Sequence, residues 1–253
     1  MTGRMCVVTG AGRDLGQAIA GAVASEGAEV VLHYNRSKGG AAKLSRRIHR
    51  GGGKAHLLSA DLRSESSCRW LIRTSARLLG RIDILINSAG LFERTDVSSL
   101  TERQFDRLLA LNLKAPVFCA IEAAKVMTRR GGVGGRCVGA RSGGGRIVNI
   151  SSLGAFQAWP AYLAYCASKA ALVSATRSLA RATAPIVMVN SVAPGLIDLP
   201  EGMSESERDR LVSAIPAGRI GTYDDVIDAV LYFCTAEYVT GQVLLVDGGA
   251  SLR

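Results

Sequence analysis

The chain has 253 residues, of which 48% are hydrophobic, so it is long enough for one large domain and too apolar for a disordered tail. No run of about 18 apolar residues is present, and we therefore expect no membrane span. The formal net charge is +10, but the basic residues are spread along the chain. This favours an ordinary solvated surface over a nucleic-acid-binding one.

The cysteines and the start of the chain bear on where the protein works. The six cysteines are scattered and form no CxxC pair, so we expect reduced thiols and no metal site. Strand-like sequence begins by Met5, which leaves no room for a secretory signal. Together these features predict a cytoplasmic protein.

The first predicted unit is a strand, a glycine-rich turn and a helix. Residues 4–9 are predicted as a buried strand, which passes through the turn at 10–16 into a helix over 17–25. Glycines permit a tight bend there and let a pyrophosphate approach the backbone, while the helix N-terminus supplies free N–H groups. The turn alone is a weak signal, but a second strand at 29–34 follows at βαβ spacing and favours a dinucleotide site over a plain turn.

The rest of the chain alternates between strand and helix. Further strands are predicted at 55–59, 82–87, 146–151, 186–192 and 243–246. Helices are predicted at 40–50, 65–79, 102–128 with a break, 161–182 and 224–234. Seven strands separated by helices indicate a single α/β domain over residues 1–253, with a parallel sheet covered by helices on both faces. Right-handed crossovers make it a doubly wound, Rossmann-type fold with ligands at the carboxyl ends of the strands.

One segment has no periodicity. Residues 129–145 are rich in glycine and arginine and precede the strand at 146–151, so we interpret them as an exposed loop insertion. An RNA-binding role is a weaker interpretation, because the segment is short and has no aromatic side chains on which bases stack.

A serine, a tyrosine and a lysine carry the chemistry. Tyr165 and Lys169 are four residues apart on a predicted helix and therefore lie on one face, one turn apart. A fixed ammonium favours the phenolate, so we expect a tyrosine pKa below its reference value of about 10. The Ser152 hydroxyl is placed to hold a carbonyl oxygen while the tyrosine transfers a proton. This set predicts carbonyl reduction or alcohol oxidation beside a hydride carrier.

These motifs together resemble the short-chain dehydrogenase/reductase family over nearly the whole chain. The markers are Thr9-Gly10-Ala11-Gly12, Asn87-Ser88-Ala89-Gly90, Asn112, Ser152, Tyr165, Lys169, Pro194-Gly195 and Val246-Asp247-Gly248-Gly249. Members resembling 3-oxoacyl-carrier-protein reductases are the nearest in appearance. Pteridine reductases are a second likeness, through residues 33–37 and the insertion before Ser152.

The resemblance implies four catalytic roles. Tyr165 would be the general acid in reduction, and Lys169 would lower its pKa and hydrogen-bond the nicotinamide ribose. Ser152 would orient the substrate oxygen. Asn112 would hold a water molecule that continues the proton relay from Lys169.

The resemblance also implies a dinucleotide site. Its residues would be Gly10, Gly12, Arg13, Asp14, Leu15, Gly16, Asn35, Arg36, Ser37, Asp61, Leu62, Asn87, Ala89, Gly90, Tyr165, Lys169, Pro194, Gly195 and Ile197. Asp61 would accept a hydrogen bond from the adenine amino group, although an aspartate at a strand end is often only a helix cap. Ile197 would offer its backbone to the nicotinamide carboxamide.

The charges near the second strand predict the type of nicotinamide cofactor. NAD-binding members usually have an acidic residue after this strand, whereas residues 34–37 contain none. Arg36 and Arg13 are placed to pair with a 2′-phosphate, which predicts NADP(H); two ordinary surface arginines are the alternative. Asp14 stands where the family usually has glycine. Either its side chain turns away from the diphosphate or cofactor affinity suffers.

The sequence therefore predicts an NADP(H)-dependent enzyme that reduces a 3-oxoacyl thioester or a small carbonyl compound to an alcohol. Residues 199–215 match the family's variable substrate lid. A pteridine-reductase-like enzyme is an alternative, although those enzymes commonly have aspartate in place of Ser152. A catalytically silent NADP-binding regulator is another, against which the intact catalytic residues argue. The resemblance implies a homotetramer, with neither nucleic acid nor membrane as a partner.

Overall fold

Seven strands form one parallel sheet in the computed structural model, which describes residues 1–129, 144–198 and 204–252. The strands are β1 (Met5–Thr9), β2 (Glu29–Tyr34), β3 (Ala55–Ser59), β4 (Ile84–Asn87), β5 (Gly145–Ile150), β6 (Val187–Pro194) and β7 (Val243–Val246). Their order across the sheet is β3-β2-β1-β4-β5-β6-β7, and all the pairings are parallel. The chain runs outward in opposite directions from β1 and β4, as in the predicted doubly wound fold.

Helices cover both faces of this sheet. They are α1 (Asp14–Ser25), α2 (Lys38–Arg50), α3 (Glu65–Leu79), α4 (Glu102–Leu109), α5 (Ala115–Arg129), α6 (Leu163–Thr183), α7 (Glu205–Ser213) and α8 (Tyr223–Thr235). One core contains residues of α1, α2 and α8, and the other contains residues of α3, α5 and α6. None of the helices described combines the length and hydropathy that crossing a membrane requires.

Side-chain alternation along β1 explains why the sheet has two cores. Cys6 and Val8 point into the core with α1, whereas Val7 between them points into the core with α3. All three are fully buried, because a parallel sheet with helices on both faces has no solvent-facing side. The strand therefore reads as a continuous apolar run.

Two predicted segments extend beyond the described residues. Of the insertion at 129–145, residues 130–143 lie outside them, as do residues 199–203 of the predicted lid. The rest of the lid contains α7, which begins with a capping box. The Ser204 hydroxyl accepts a hydrogen bond from the Glu207 amide, and the Glu207 carboxylate accepts one from the Ser204 amide. No α7 residue is buried; Leu211 and Val212 are half-buried, and the other residues of the helix are exposed.

The helix predicted over residues 102–128 is interrupted by a π-helical turn. This turn spans Ala110–Lys114 and lies between α4 and α5. Its Asn112 is buried, and the Asn112 side chain exchanges hydrogen bonds with the backbone of Leu91. A π turn is a single wide turn inside a helix and is frequent at functional sites. The break therefore lies at a residue that the sequence had singled out.

Helix α1 begins earlier than predicted, at Asp14 instead of residue 17. Asp14 has a φ of +50°, and among the described residues it is the only non-glycine with a positive φ. That conformation costs an L-residue free energy, although aspartate tolerates it better than most side chains. The glycine that the family usually has at this position would adopt it without strain.

Helix α2 packs directly against the glycine-rich turn. A Cβ atom on Gly40 would overlap the carbonyl oxygen of Gly12, whereas one on Gly39 would meet nothing within 4 Å. The side chain of Gln17 donates to the Gly40 carbonyl at 2.8 Å and so ties α1 to α2 at the same place. The approach of α2 to the turn therefore depends on the absence of a side chain at Gly40.

Two alanine substitutions test this close approach. We expect Gly40→Ala to lower the free energy of unfolding by at least about 2 kcal/mol, because the new methyl group must displace backbone. Gly39→Ala is the matched control and should stabilise by up to about 1 kcal/mol, because alanine is the better helix former. Urea unfolding monitored by circular dichroism measures both. Equal effects of the two substitutions would contradict the packing argument.

Candidate active site

A cavity of about 640 Å³ opens at the carboxyl ends of the central strands. It is lined by the glycine-rich turn, by the segment after β2, by the end of β3 and by the segment after β4. The predicted dinucleotide residues along its wall are Gly10, Gly12, Arg13, Asp14, Leu15, Gly16, Asn35, Arg36, Ser37, Asp61, Leu62, Ala89 and Gly90. The cavity therefore lies where a doubly wound sheet binds ligands, beside β1 and β4.

The glycine-rich turn is tightly packed against the segments that follow β2 and β4. Gly10 has a φ of +73°, and a Cβ on it would lie 2.8 Å from the backbone of Ala89. A Cβ on Gly12 would lie 2.7 Å from Ser37. Both glycines thus allow backbone to approach backbone. The turn leads into the N-terminus of α1, whose free N–H groups suit a diphosphate.

A histidine that the sequence analysis did not single out supports this turn. His33 is buried at the end of β2, and its Nδ1 accepts a hydrogen bond from the Gly10 amide at 3.2 Å. Its Nε2 lies 3.0 Å from the carbonyl oxygen of Ala60. Burial lowers the pKa of His33 to about 4, so the ring is neutral at neutral pH. The available signal was a polar residue directly after the apolar residues Val30, Val31 and Leu32 of β2.

Charged side chains surround the rim near the end of β2. Arg13 and Arg36 are exposed there, and the Arg13 Nε lies 3.4 Å from the Asp14 carboxylate. Asp14 therefore offsets part of the positive charge of Arg13. The Asp14 carboxylate is directed to Arg13. This contact bears on whether the Asp14 side chain turns away from the diphosphate or cofactor affinity suffers, the two alternatives left open above.

Asp61 is engaged by an arginine. The Arg63 Nε lies 2.9 and 3.0 Å from the two carboxylate oxygens, and the Arg63 amide donates at 3.1 Å. The hydrogen bonds from the Arg63 side chain are the largest cause that lowers the pKa of Asp61, so the carboxylate is ionised at neutral pH. Arg63 also lines the cavity, and it adds a cation that the sequence analysis did not assign to the site.

The predicted catalytic side chains meet where β5 ends. Ser152 follows β5, and its Oγ accepts a hydrogen bond from the Gly154 amide at 3.1 Å. Tyr165 and Lys169 lie on α6 with the predicted one-turn spacing, and the Lys169 Nζ is 5.8 Å from the centre of the tyrosine ring. Lys169 donates to the carbonyl oxygen of Ile150 at 2.8 Å. Ile150 also lines the cavity, so this bond connects the lysine with the cavity wall.

The pKa of Tyr165 shifts in the opposite direction from the one the sequence led us to expect. Burial raises the pKa to about 12, and the interaction with the Ser152 side chain opposes this only in part. Lys169 is itself buried, and burial lowers its pKa to about 8. The expectation of a lowered tyrosine pKa was wrong for the protein's own residues, because the desolvation of Tyr165 outweighs its hydrogen bond with Ser152.

Asn112 lies deep beside this group. Its Nδ2 donates to the Leu91 carbonyl at 2.9 Å and to the Ser168 hydroxyl at 3.1 Å, and its Oδ1 accepts from the Leu91 amide at 2.8 Å. A Cβ on Gly90 would lie 3.3 Å from the Asn112 Oδ1 and 3.6 Å from the Lys169 Nζ. The bare Cα of Gly90 thus faces both side chains.

Besides Tyr165 and Lys169, four of the predicted dinucleotide residues do not line this cavity. Asn87 is buried in the sheet, where its Nδ2 donates to Asn149 at 2.9 Å and to the Pro116 carbonyl at 3.3 Å. These contacts connect β4 with β5 and with α5. The other three are Pro194, Gly195 and Ile197 at and after the end of β6. Gly195 approaches the far edge of the sheet, since a Cβ on it would lie 2.7 Å from Asp247.

Aromatic rings form a surface beside Tyr165. Phe92 stacks on Tyr162 at 4.5 Å between ring centres and meets the edge of Tyr165 at 4.8 Å. Trp159 lies parallel to Tyr165 at 6.5 Å. The Phe92 side chain is on the outside of this group, with 63% of its surface exposed. No sequence pattern indicated that Phe92 joins this cluster, because Phe92 is far in the chain from Trp159, Tyr162 and Tyr165.

Comparison with known proteins agrees with this geometry. A family model described as Enoyl-(Acyl carrier protein) reductase matches residues 10–251. The chain is similar to the 3-oxoacyl-[acyl-carrier-protein] reductase FabG of Aquifex aeolicus (strain VF5). The two are 32% identical over 254 residues, which cover 98% of each chain.

Two solved structures are similar over nearly their whole length. FolM alternative dihydrofolate reductase 1 of Brucella suis, crystallised in complex with NADP, is 33% identical with a TM-score of 0.86, covering 99% of this chain and 96% of that one. A dehydrogenase/reductase of Sinorhizobium meliloti 1021 is 33% identical with a TM-score of 0.87 and the same two coverages. Together with the family match, these likenesses show that the chain belongs to the short-chain dehydrogenase/reductase family.

Proposed function

We propose that this protein is an NADP(H)-dependent reductase that converts a carbonyl group into an alcohol, with Tyr165 as the general acid. The observation that carries the proposal is the meeting of Ser152, Tyr165 and Lys169 at the Ile150 end of the cavity. The same cavity is lined by the glycine-rich turn and by the segments after β2, β3 and β4, which are four groups of residues that the family uses to bind a dinucleotide. The residues present therefore fit a nicotinamide dinucleotide.

The dinucleotide, when bound, supplies a hydride to the carbonyl carbon. The Ser152 and Tyr165 hydroxyls donate hydrogen bonds to the carbonyl oxygen, and Tyr165 then transfers its proton to that oxygen. A pKa near 12 keeps Tyr165 protonated at neutral pH, so the proton is available for reduction. The alcohol forms from one hydride and one proton, and the tyrosine is left as a phenolate.

Lys169 and Asn112 complete the proton transfer. With a pKa near 8, Lys169 is largely protonated at pH 7, and its charge stabilises the phenolate that Tyr165 becomes. The backbone of Gly90 leaves space between the Lys169 ammonium and the Asn112 amide. A water molecule held there by Asn112 would continue the proton relay from Lys169, which is the role we propose for this residue.

The preference for NADP(H) over NAD(H) rests on the arginines at the rim. Arg36 is exposed on the segment after β2, and Arg13 lies across the turn from it. A guanidinium pairs with a phosphate in a bidentate geometry, and no residue in 34–37 is acidic. The pairing of Arg13 with Asp14 leaves Arg36 as the stronger of the two contacts. The NADP bound to the similar FolM enzyme supports this choice.

The substrate class that we favour is a 3-oxoacyl thioester or a small ketone. The similarity to a 3-oxoacyl-[acyl-carrier-protein] reductase supports it, and so does Ser152 at its position after β5. The exposed helix α7 would act as the lid over this substrate. We further propose that the protein is cytoplasmic and forms a homotetramer. The partly exposed Tyr232 and Leu244 on α8 and β7 support an interface at that edge of the sheet.

A planar cyclic substrate such as a pterin is the second candidate. The aromatic surface formed by Phe92, Tyr162 and Trp159 favours it, because flat rings stack on such surfaces. The similarity to FolM alternative dihydrofolate reductase 1 points in the same direction. The two candidates share the hydride carrier and Tyr165 and differ in what the substrate presents to Phe92.

The first test of the proposal is loss of NADPH absorbance with a panel of 3-oxoacyl thioesters, diketones and pterins. Tyr165→Phe should lower kcat by at least about 100-fold, because it removes the general acid, while NADPH affinity changes little. Tyr162→Phe is the matched control, since it removes a neighbouring hydroxyl and keeps the ring that stacks on Phe92. NADPH binding without turnover of any compound would instead indicate a catalytically silent regulator.

The second test concerns the cofactor. Arg36→Ala should weaken NADPH binding by about 10-fold and leave NADH binding nearly unchanged, because NADH has no 2′-phosphate. Arg13→Ala should have a smaller effect in the same direction, since Asp14 already pairs with Arg13. Arg50→Ala at the other end of α2 serves as the control. Equal affinity of the unaltered protein for NADH and NADPH would contradict the assignment.

The third test separates the two substrate candidates. Phe92→Leu should lower kcat/KM for a dihydropterin by about 3- to 10-fold through lost ring stacking, with a smaller loss for a short 3-oxoacyl thioester. Tyr238→Leu, at an exposed aromatic between α8 and β7, is the control. If the substitution of Phe92 affects both substrates equally, the aromatic surface does not select between them.

A further inference from the structure

His33 is a buried polar residue that takes no part in the proton transfer described above. It is the second-to-last residue of β2, and 2% of its surface is exposed. Its ring contacts backbone on both sides: the Gly10 amide at Nδ1 and the Ala60 carbonyl at Nε2, at 3.2 and 3.0 Å. Gly10 follows β1 and Ala60 follows β3, so the ring connects the ends of three neighbouring strands.

The two contacts define the protonation state of the ring. A carbonyl oxygen only accepts, so the Nε2 of His33 carries the hydrogen and donates it to Ala60. An amide nitrogen only donates, so Nδ1 is left with its lone pair and accepts from Gly10. The burial that lowers the pKa of His33 to about 4 keeps the ring in this neutral form at neutral pH. Both contacts are therefore satisfied at once.

The histidine backbone acts on the same turn. The carbonyl oxygen of His33 accepts from the Ala11 amide at 2.8 Å, next to the amide that its ring holds. A ring and a carbonyl of one residue thus hold two successive amides of the glycine-rich turn. Any sheet residue at this position supplies the backbone bond, but only a side chain with an acceptor at the Nδ1 position supplies the bond to Gly10.

We propose that His33 is a positioning residue that sets the glycine-rich turn for dinucleotide binding by holding the Gly10 amide. The inference rests on the proposed function, because the turn is the wall of the cavity that would take the diphosphate. Gly10 is the first residue of the turn that continues through Gly12 and Arg13 into α1. Without the bond, the partly buried Gly10 amide loses its acceptor, and the turn has to move to satisfy it.

Loss of the bond between His33 and Gly10 should lower the affinity for the dinucleotide and have little effect on hydride transfer. His33 is on the adenosine side of the cavity, whereas Tyr165 and Lys169 meet at its Ile150 end. A displaced turn weakens the binding of the diphosphate before any hydride moves. A histidine that only filled space would, in contrast, lower stability without a selective effect on dinucleotide affinity.

Three substitutions separate the two ring contacts. His33→Asn places a carbonyl oxygen at the Nδ1 position and keeps the acceptor for Gly10, whereas His33→Gln places an amide nitrogen near the Nε2 position and keeps the donor for Ala60. His33→Leu removes both. We expect His33→Leu and His33→Gln to weaken NADPH binding by about 10-fold or more, whereas the NADPH affinity of His33→Asn should stay within about 3-fold of the unaltered protein. In all three variants, kcat at saturating NADPH should change far less than the affinity for NADPH.

Hydrogen–deuterium exchange adds a measurement that requires no dinucleotide. The peptide containing Gly10 and Ala11 should exchange faster in the Leu and Gln variants than in the Asn variant and the unaltered protein. His56→Gln is the matched control, since His56 lies on β3 and bonds Glu29 at 2.7 Å, away from the cavity. It should change neither the exchange nor NADPH affinity.

Two results would overturn the inference. The first is equal NADPH affinity of the Asn and Gln variants, a comparison that stands even if the Leu variant does not fold. The second is unchanged exchange at Gly10 in the Gln variant. Failure of the unaltered protein to bind NADPH or NADH would instead defeat the proposed function, and with it the assignment of His33 to a dinucleotide site.

Discussion

The bond between the buried ammonium of Lys169 and the carbonyl oxygen of Ile150 is the constraint on which the candidate active site depends. Lys169 is on α6 and Ile150 is the last residue of β5, so the bond fixes where the helix meets the carboxyl end of this central strand. Burial makes the charged lysine costly, as its lowered pKa records. One helical turn away is the Tyr165 hydroxyl, and beyond Ile150 is the cavity.

The positions of the main functional side chains were predictable because they depend on short-range patterns. A four-residue spacing on a helix puts Tyr165 and Lys169 on one face in any fold, and the structure has that arrangement. The parallel sheet followed from seven apolar segments separated by helices, since only a sheet covered on both faces makes its strands apolar throughout. The glycine-rich turn was recognisable from its place between a strand and a helix.

What the sequence did not reveal depends on contacts between distant segments. The pKa of Tyr165 follows from how deeply α6 buries it, and a spacing rule contains no information on burial. The role of His33 appears only when the ends of β1, β2 and β3 are side by side. The aromatic surface likewise joins Phe92 after β4 to Trp159 and Tyr162 before α6. Asp14 is a local surprise, because the turn imposes a backbone conformation that aspartate rarely adopts.

The π-helical turn at Ala110–Lys114 also affects the helix that follows it. Such a turn adds the equivalent of one residue to a helix that otherwise repeats every 3.6 residues, so the faces beyond it are rotated by about 100°. Cys119, Ala123 and Met127 of α5 lie beyond this turn and face the core, so their direction relative to α4 includes this offset. Two features of the structure therefore limit insertions and deletions in this stretch, namely the position of Asn112 and the direction of the apolar stripe of α5. A change of one residue in length would move Asn112 from Leu91 and would also turn the apolar stripe of α5 away from the sheet.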